Sequence, residues 1–101
     1  IDGFTENVMP LSDLAKKFES FNFNVLEING HNFREIDEAV NQAHKEKDKP
    51  SVIIAYTIPG KGVKEFERDY RWHGKAPNID EANMALRELR TLEGKIKSEH
   101  Q

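Results

Sequence analysis

The chain has 101 residues, 37% of them apolar and 33% charged, enough to bury one modest core and too few for two. The absence of cysteine excludes a disulfide, a thiolate zinc site and a cysteine nucleophile, and a net charge of −3 argues against sequence-independent nucleic-acid binding. The longest apolar run, Val52-Ile53-Ile54-Ala55-Tyr56, is far shorter than the ~20 residues of a membrane-spanning helix, and no charged-then-apolar leader points to secretion, so a cytoplasmic α/β domain with no membrane partner is expected.

Ile1-Asp2-Gly3 reads as the end of a strand entering a loop, and with no initiator Met the chain is expected to be a piece of something longer. Glu6 to Pro10 reads as a connector. Leu11, Leu14, Ala15, Phe18 and Phe21 then recur at helical spacing, predicting a short helix over about 12–21 with Ser12 as N-cap. Phe23 to Ile28 is rich in β-formers and closes on Asn29-Gly30, a strand followed by a turn. Asn32 and Glu35 have capping-box spacing and open a helix whose apolar face is Phe33, Ile36, Ala39, Val40 and Ala43. The polar run His44 to Lys49 ends that helix, and Pro50 prevents its continuation. Val52–Tyr56 is apolar without alternation, which suggests a strand covered on both faces, as in a parallel sheet.

Ile58 to Pro77 shows neither helical nor strand periodicity, yet it carries Gly60, Gly62, Gly74, Pro59, Pro77 and the single tryptophan. So long an irregular stretch inside a compact domain is usually functional or disordered. Asn78 and Glu81 form a second capping box, opening a helix over about 79–97 through Ile79, Ala82, Leu86, Leu89, Leu92 and Ile96, with Gly94 weakening its last turns. Strands alternating with helices favour a parallel sheet. Two strands alone cannot cover Val52–Tyr56 on both faces, so further strands are expected from outside this chain.

In a parallel sheet the ligand crevice lies beyond the carboxyl ends of the strands. That places Ile1-Asp2-Gly3, Asn29-Gly30-His31 and the loop after Tyr56 as the candidate segments. Within residues 58–78, Lys61, Lys64, Arg68, Arg71 and Lys75 outnumber Glu65, Glu67 and Asp69, a surplus of two positive charges in an otherwise acidic chain. A basic loop with Gly60-Lys61-Gly62 suits an anion such as a phosphate; the same composition also fits a mobile surface loop with solvated charges. In Trp72-His73-Gly74 the indole is expected to anchor the loop and hold His73 in place to donate to an anion or exchange a proton, or simply to cap a turn. His31 fits a local turn, and His44 and His100 fit solvated helix ends. No spacing of histidines or carboxylates marks a metal site in this chain.

Taken together these pieces resemble the diphosphate-binding domain of transketolases, and in particular the separate N-terminal subunit of split transketolases. The resemblance is carried by Ile1-Asp2-Gly3-Phe4-Thr5, Met9-Pro10-Leu11, Val25 to His31, Lys49 to Ile54, Thr57 to Val63 and Trp72 to Asn78, in this order and spacing. It implies an α/β chain that is a fragment of a parallel-sheet thiamine diphosphate-binding fold with helices on both faces. Residues 1–101 would form the C-terminal half of that domain, with a long ligand loop at 58–78.

The implied activity is transfer of a two-carbon ketol unit from a ketose phosphate to an aldose phosphate, the fragment alone being inactive. The implied cofactor is thiamine diphosphate with a divalent metal, magnesium or calcium, held by a Gly-Asp-Gly and Asn motif upstream of these residues. By position, Ile1 would line the cofactor's ring pocket, and His73 would contact the diphosphate and the bound sugar and serve as the catalytic residue. Gly60, Lys61 and Gly62 would complete the cofactor-binding set. Where family members often carry lysine this chain has Pro59, and Lys61 is the candidate to supply that charge. The implied partner is the pyrimidine-binding subunit or domain, which supplies the activating glutamate, in a homodimer or heterotetramer. Two alternatives are a related enzyme such as 1-deoxyxylulose-5-phosphate synthase and a non-catalytic α/β interaction module; the Trp-His-Gly-Lys-Ala-Pro-Asn run favours transketolase over the first.

Overall fold

Two segments rich in β-branched residues, β1 (Asn24–Asn29) and β2 (Ser51–Tyr56), lie side by side in parallel in the computed structural model, which describes residues 1–99, with side chains as far as Arg90. Register runs from Asn24 opposite Ser51 to Asn29 opposite Tyr56. Parallel pairing requires a crossover rather than a hairpin. The crossover is α3 (Phe33–Lys45), which packs on both strands, while α2 (Leu14–Ser20) packs on β1. The Asn24 amide donates to the Pro50 carbonyl at 2.9 Å and its Nδ2 to Ser51 Oγ at 3.1 Å, fixing the entry of the sheet. The Gly30 amide donates to the Tyr56 carbonyl at 2.8 Å at the exit. Near that end Tyr56 Oη donates to Glu27 across the strands at 2.5 Å, and this bond to a carboxylate raises the phenol above its ordinary pKa.

The first capping motif is half formed. Asn32 Oδ1 accepts from the amides of Arg34 at 3.0 Å and Glu35 at 3.1 Å, as an N-cap should. Glu35 does not return to Asn32; its carboxylate accepts from the Asn29 amide at 3.3 Å and so ties the helix start to the end of β1. The helix buries Ala39, but Phe33 is 79% exposed and Val40 41%, against the apolar face expected for them. Phe33 is the first helical residue, and side chains there lean back beyond the helix end, past the strands on which the later turns pack.

The N-terminal segment departs from its reading in two places. Thr5–Val8 forms a single helical turn (α1) where a connector was expected, closed by the Met9 amide on the Thr5 carbonyl at 2.8 Å. Ser12 is not the N-cap of α2, because its hydroxyl donates to Glu6 at 2.7 Å. Asp13 occupies the cap position in a left-handed conformation, φ 55°, with no capping bond from its side chain. The helix therefore starts two residues late, and Phe21 falls at its C-cap, 79% exposed. Strand β2 is half-buried from Ser51 to Ile54 and exposed at Ala55 and Tyr56, less covered than expected, since each strand has one neighbour and the helices reach only part of the sheet.

Residues Thr5–Thr57 form one compact unit, and Ile1–Phe4 with the chain from Ile58 onward form another. The second is organised around α4 (Ile79–Glu99). Its capping box is complete: the Glu81 amide donates to Asn78 Oδ1 at 2.8 Å and the Asn78 amide to Glu81 Oε1 at 3.0 Å. Asn78→Ala removes the cap acceptor and is expected to cost about 1 kcal/mol of stability, read as an earlier urea midpoint at unchanged slope. Among the described residues Val63 and Ala85 are the buried apolar ones of this unit, and Lys64 ties the loop to α4 through its amide on Glu88 at 2.7 Å. Ile79, Leu86 and Leu89 are exposed although they share the predicted helix face, while the loop bonds to α4 at Glu81 and Glu88. Leu92, Ile96 and the effect of Gly94 lie outside the described side chains, and His100 outside the described residues. Among the described residues no helix is long and apolar enough to cross a membrane.

Candidate functional site

The loop after β2 is irregular but heavily bonded to itself. Between Ile58 and Asp69 the amides of Lys61, Val63, Phe66, Glu67, Arg68 and Asp69 all donate to loop carbonyls. Gly60 has φ +75°, and a Cβ there would stand 2.5 Å from the Phe66 carbonyl oxygen. The glycine is thus required by the chain's own fold. The Gly62 amide donates to Glu67 Oε1 at 3.1 Å. The Lys61 and Gly62 amides are both engaged inside the loop, and Lys61 is exposed.

A 3-10 turn, Tyr70–Trp72, interrupts the segment that had no predicted structure. Asp69 is its N-cap. Oδ1 accepts from the Arg71 amide at 3.0 Å and from Arg71 Nε at 2.9 Å, and Oδ2 from Nη2 at 2.7 Å. These bonds to the guanidinium and amide of Arg71 hold the Asp69 carboxyl down to about 2. A carboxyl depressed on folding stabilises the fold above its unfolded pKa and loses that contribution as pH falls through its folded pKa. The turn is therefore expected to loosen between about pH 4 and pH 2, seen as a change in Trp72 fluorescence that Asp69→Asn abolishes.

Trp72 anchors the turn that presents His73. Its ring lies 4.1 Å from that of Phe66, its Nε1 donates to the Glu65 carbonyl at 3.2 Å, and Lys75 Nζ stands 4.0 Å above its centroid. The Lys75 amide donates to the Trp72 carbonyl at 3.2 Å. Between them His73 has φ −68°, ψ 107° and Gly74 has φ +84°. These angles and that bond describe a type II β-turn with His73 at its second position and Gly74 at its third, where positive φ favours glycine. His73 is exposed, and a Cβ on Gly74 would meet nothing within 4 Å. The turn thus displays an imidazole with open space at its side. Next to it, Glu65, Asp69, Arg71, Trp72, Lys75 and Glu81 line a cavity of about 400 Å³. Its cations are answered within it, Arg71 by Asp69 at 2.7 Å and Lys75 by Glu81 at 3.3 Å.

Of the sequence-derived candidates, Ile1 falls in the same compact unit as this loop and is 75% exposed, an apolar side chain left to the outside. Asn29, Gly30 and His31 belong to the other unit, where the His31 amide donates to Asn29 Oδ1 at 3.0 Å in a local turn. His44 is exposed on α3. Among the described residues no three histidine or carboxylate side chains are grouped to hold a metal ion. Sequence reasoning misses the pairing of Lys75 with Trp72 and Glu81. Its signal is a lysine three residues after the tryptophan and three before the capping asparagine.

A parallel strand-helix-strand unit, followed in the chain by a self-bonded basic loop, an exposed histidine and a capped helix, makes this an α/β chain of the parallel-sheet class. The model of the transketolase thiamine diphosphate-binding domain matches residues 1–94, and the chain belongs to that family. The chain is 38% identical to a 6-deoxy-6-sulfo-D-fructose transketolase subunit of Clostridium sp. (strain MSTE9), over 88% of this chain and 32% of the relative. It is 35% identical to an apulose-4-phosphate transketolase subunit of Actinobacillus succinogenes, over 87% of this chain and 32% of the relative. It is 37% identical to transketolase 2 of Escherichia coli K12, over 88% of this chain and 13% of that protein. The chain thus spans about a third of the length of the subunit relatives.

Proposed function

We propose that this chain contributes the diphosphate-facing part of a transketolase, which moves a two-carbon ketol unit from a ketose phosphate to an aldose phosphate. The observation that carries the reading is His73, displayed on a glycine-containing turn with open space beside it and braced from behind by Trp72. The surroundings fit an anionic cofactor bearing an aromatic ring: the loop has a positive surplus, Lys61 is exposed, and Ile1 leaves an apolar side chain uncovered in the same unit. Thiamine diphosphate, when bound, supplies the carbon nucleophile for ketol transfer, which no side chain here can replace.

In this reading His73 donates a hydrogen bond to the diphosphate and to a hydroxyl of the sugar, stabilising charge that develops on oxygen. Ile1 lines the ring pocket and excludes water from it. Lys61 adds charge where Pro59 stands in place of a lysine. Gly60 and Gly62 act by shaping the loop that carries Lys61, since the Gly62 amide is already engaged by Glu67. A divalent metal, if present, is held by residues other than these. A pyrimidine-binding partner completes the site, in keeping with relatives named as subunits. Those two relatives are named for different sugars.

Binding raises the melting temperature of a protein that takes the ligand only when folded. Thiamine diphosphate with magnesium is therefore expected to raise that of the assembled enzyme by several degrees. An unchanged melting temperature at millimolar cofactor would favour a non-catalytic module instead.

A further inference from the structure

The two ends of the His73 turn are joined twice. The backbone joins them through the Lys75 amide on the Trp72 carbonyl at 3.2 Å. The side chains join them again, because Lys75 Nζ lies 4.0 Å above the Trp72 ring. A cation on an aromatic face contributes modestly at an exposed site and more where water is excluded. Here the cation is also held from a second direction. Glu81 divides its carboxylate, Oε1 accepting from the Asn78 amide at 3.0 Å to cap α4 and Oε2 accepting from Lys75 Nζ at 3.3 Å. The first turn of a long helix is thereby connected, through one ammonium group, to the indole immediately before His73.

We propose that Lys75 is a positioning residue: its ammonium, clamped between the Trp72 ring and the Glu81 carboxylate, fixes the orientation in which the turn presents His73. The proposal rests on the functional reading of His73 given above. Nothing about chain stability alone calls for this arrangement, since the Lys75 and Glu81 side chains sit at a half-open surface where an isolated ion pair contributes little. Its geometric consequence falls on His73, inside the turn that Trp72 and Lys75 close, because misplacing a catalytic group by an ångström is enough to slow a reaction markedly.

The test is a double-mutant cycle in the assembled enzyme, with kcat for ketol transfer as readout. Lys75→Met, which keeps the aliphatic stem, is expected to lower kcat about ten-fold, and Lys75→Arg, which restores a cation over the ring, to recover most of it. In the His73→Ala background, Lys75→Met is expected to have no further effect, since its action runs through His73. Should Lys75→Met prevent assembly, Glu81→Gln serves instead. It keeps an oxygen for the Asn78 amide while weakening the hold on Lys75, and its loss of kcat must likewise vanish without His73. A wild-type kcat for Lys75→Met, or an equal loss with and without His73, overturns the positioning role while leaving His73 in place. A near-normal kcat for His73→Ala itself overturns the functional reading and the clamp with it.

Discussion

Replacing His73 by alanine in the assembled enzyme is expected to lower kcat by ~10²-fold or more, the scale on which a single positioned polar group contributes to catalysis. Among the described residues no hydrogen bond or ion pair of the His73 side chain would confound the result. His73 is exposed, and the bond that closes its turn belongs to the backbone of Trp72 and Lys75. The variant should therefore fold with an unchanged melting temperature and fail in turnover. His73→Asn, which keeps a donor at shorter reach, is expected to fall between wild type and alanine. Steady-state kinetics beside a thermal melt separates the two effects, and a melt that shifts with the rate would point to a structural histidine.

Gly60→Ala carries the largest stability effect. Two costs combine at that position: a positive φ, about 1 kcal/mol or more for a residue with a side chain, and a Cβ that would stand 2.5 Å from the Phe66 carbonyl oxygen. Backbone, unlike a flexible side chain, cannot step aside without undoing the Arg68 amide bond to Pro59 at 3.0 Å that closes the loop. A loss of about 2–4 kcal/mol is expected from denaturant unfolding. Gly74→Ala is the control. Its φ is also positive, at +84°, but a Cβ would meet nothing within 4 Å, so only the conformational cost of about 1 kcal/mol applies. Equal losses at the two glycines would mean that the loop does not pack on itself at Phe66.

Much of the architecture was legible because local chemistry decided it. Asn-Gly after β1, the Asn78 and Glu81 cap, Pro50 before β2 and the unbroken apolar run of β2 each act within a few residues, and each marks an element that formed. The features that were not legible depend on what an element meets. Periodicity grouped Ile79, Leu86 and Leu89 on one stripe of α4, but a stripe carries no information on its cover, and these residues are exposed. Ser12 was the better cap former by type; a carboxylate six residues earlier, Glu6, claimed its hydroxyl.

The same division holds at the candidate site. Trp-His-Gly announced an anchored histidine, and the turn angles agree with the glycine's place in it. Gly60 was visible as a special position, yet whether its space served a ligand or the chain itself needed the distance to Phe66. Lys75 was one of several loop charges, and only three dimensions joined it to Trp72 and Glu81.

In the proposed function a braced turn delivers one imidazole to a bound diphosphate. A crystal structure of the assembled enzyme with thiamine diphosphate tests it most directly. A nitrogen of His73 is expected within about 3 Å of a diphosphate oxygen, with the Trp72–Lys75 turn unchanged. An imidazole left in solvent, with the diphosphate held wholly by other residues, would contradict it.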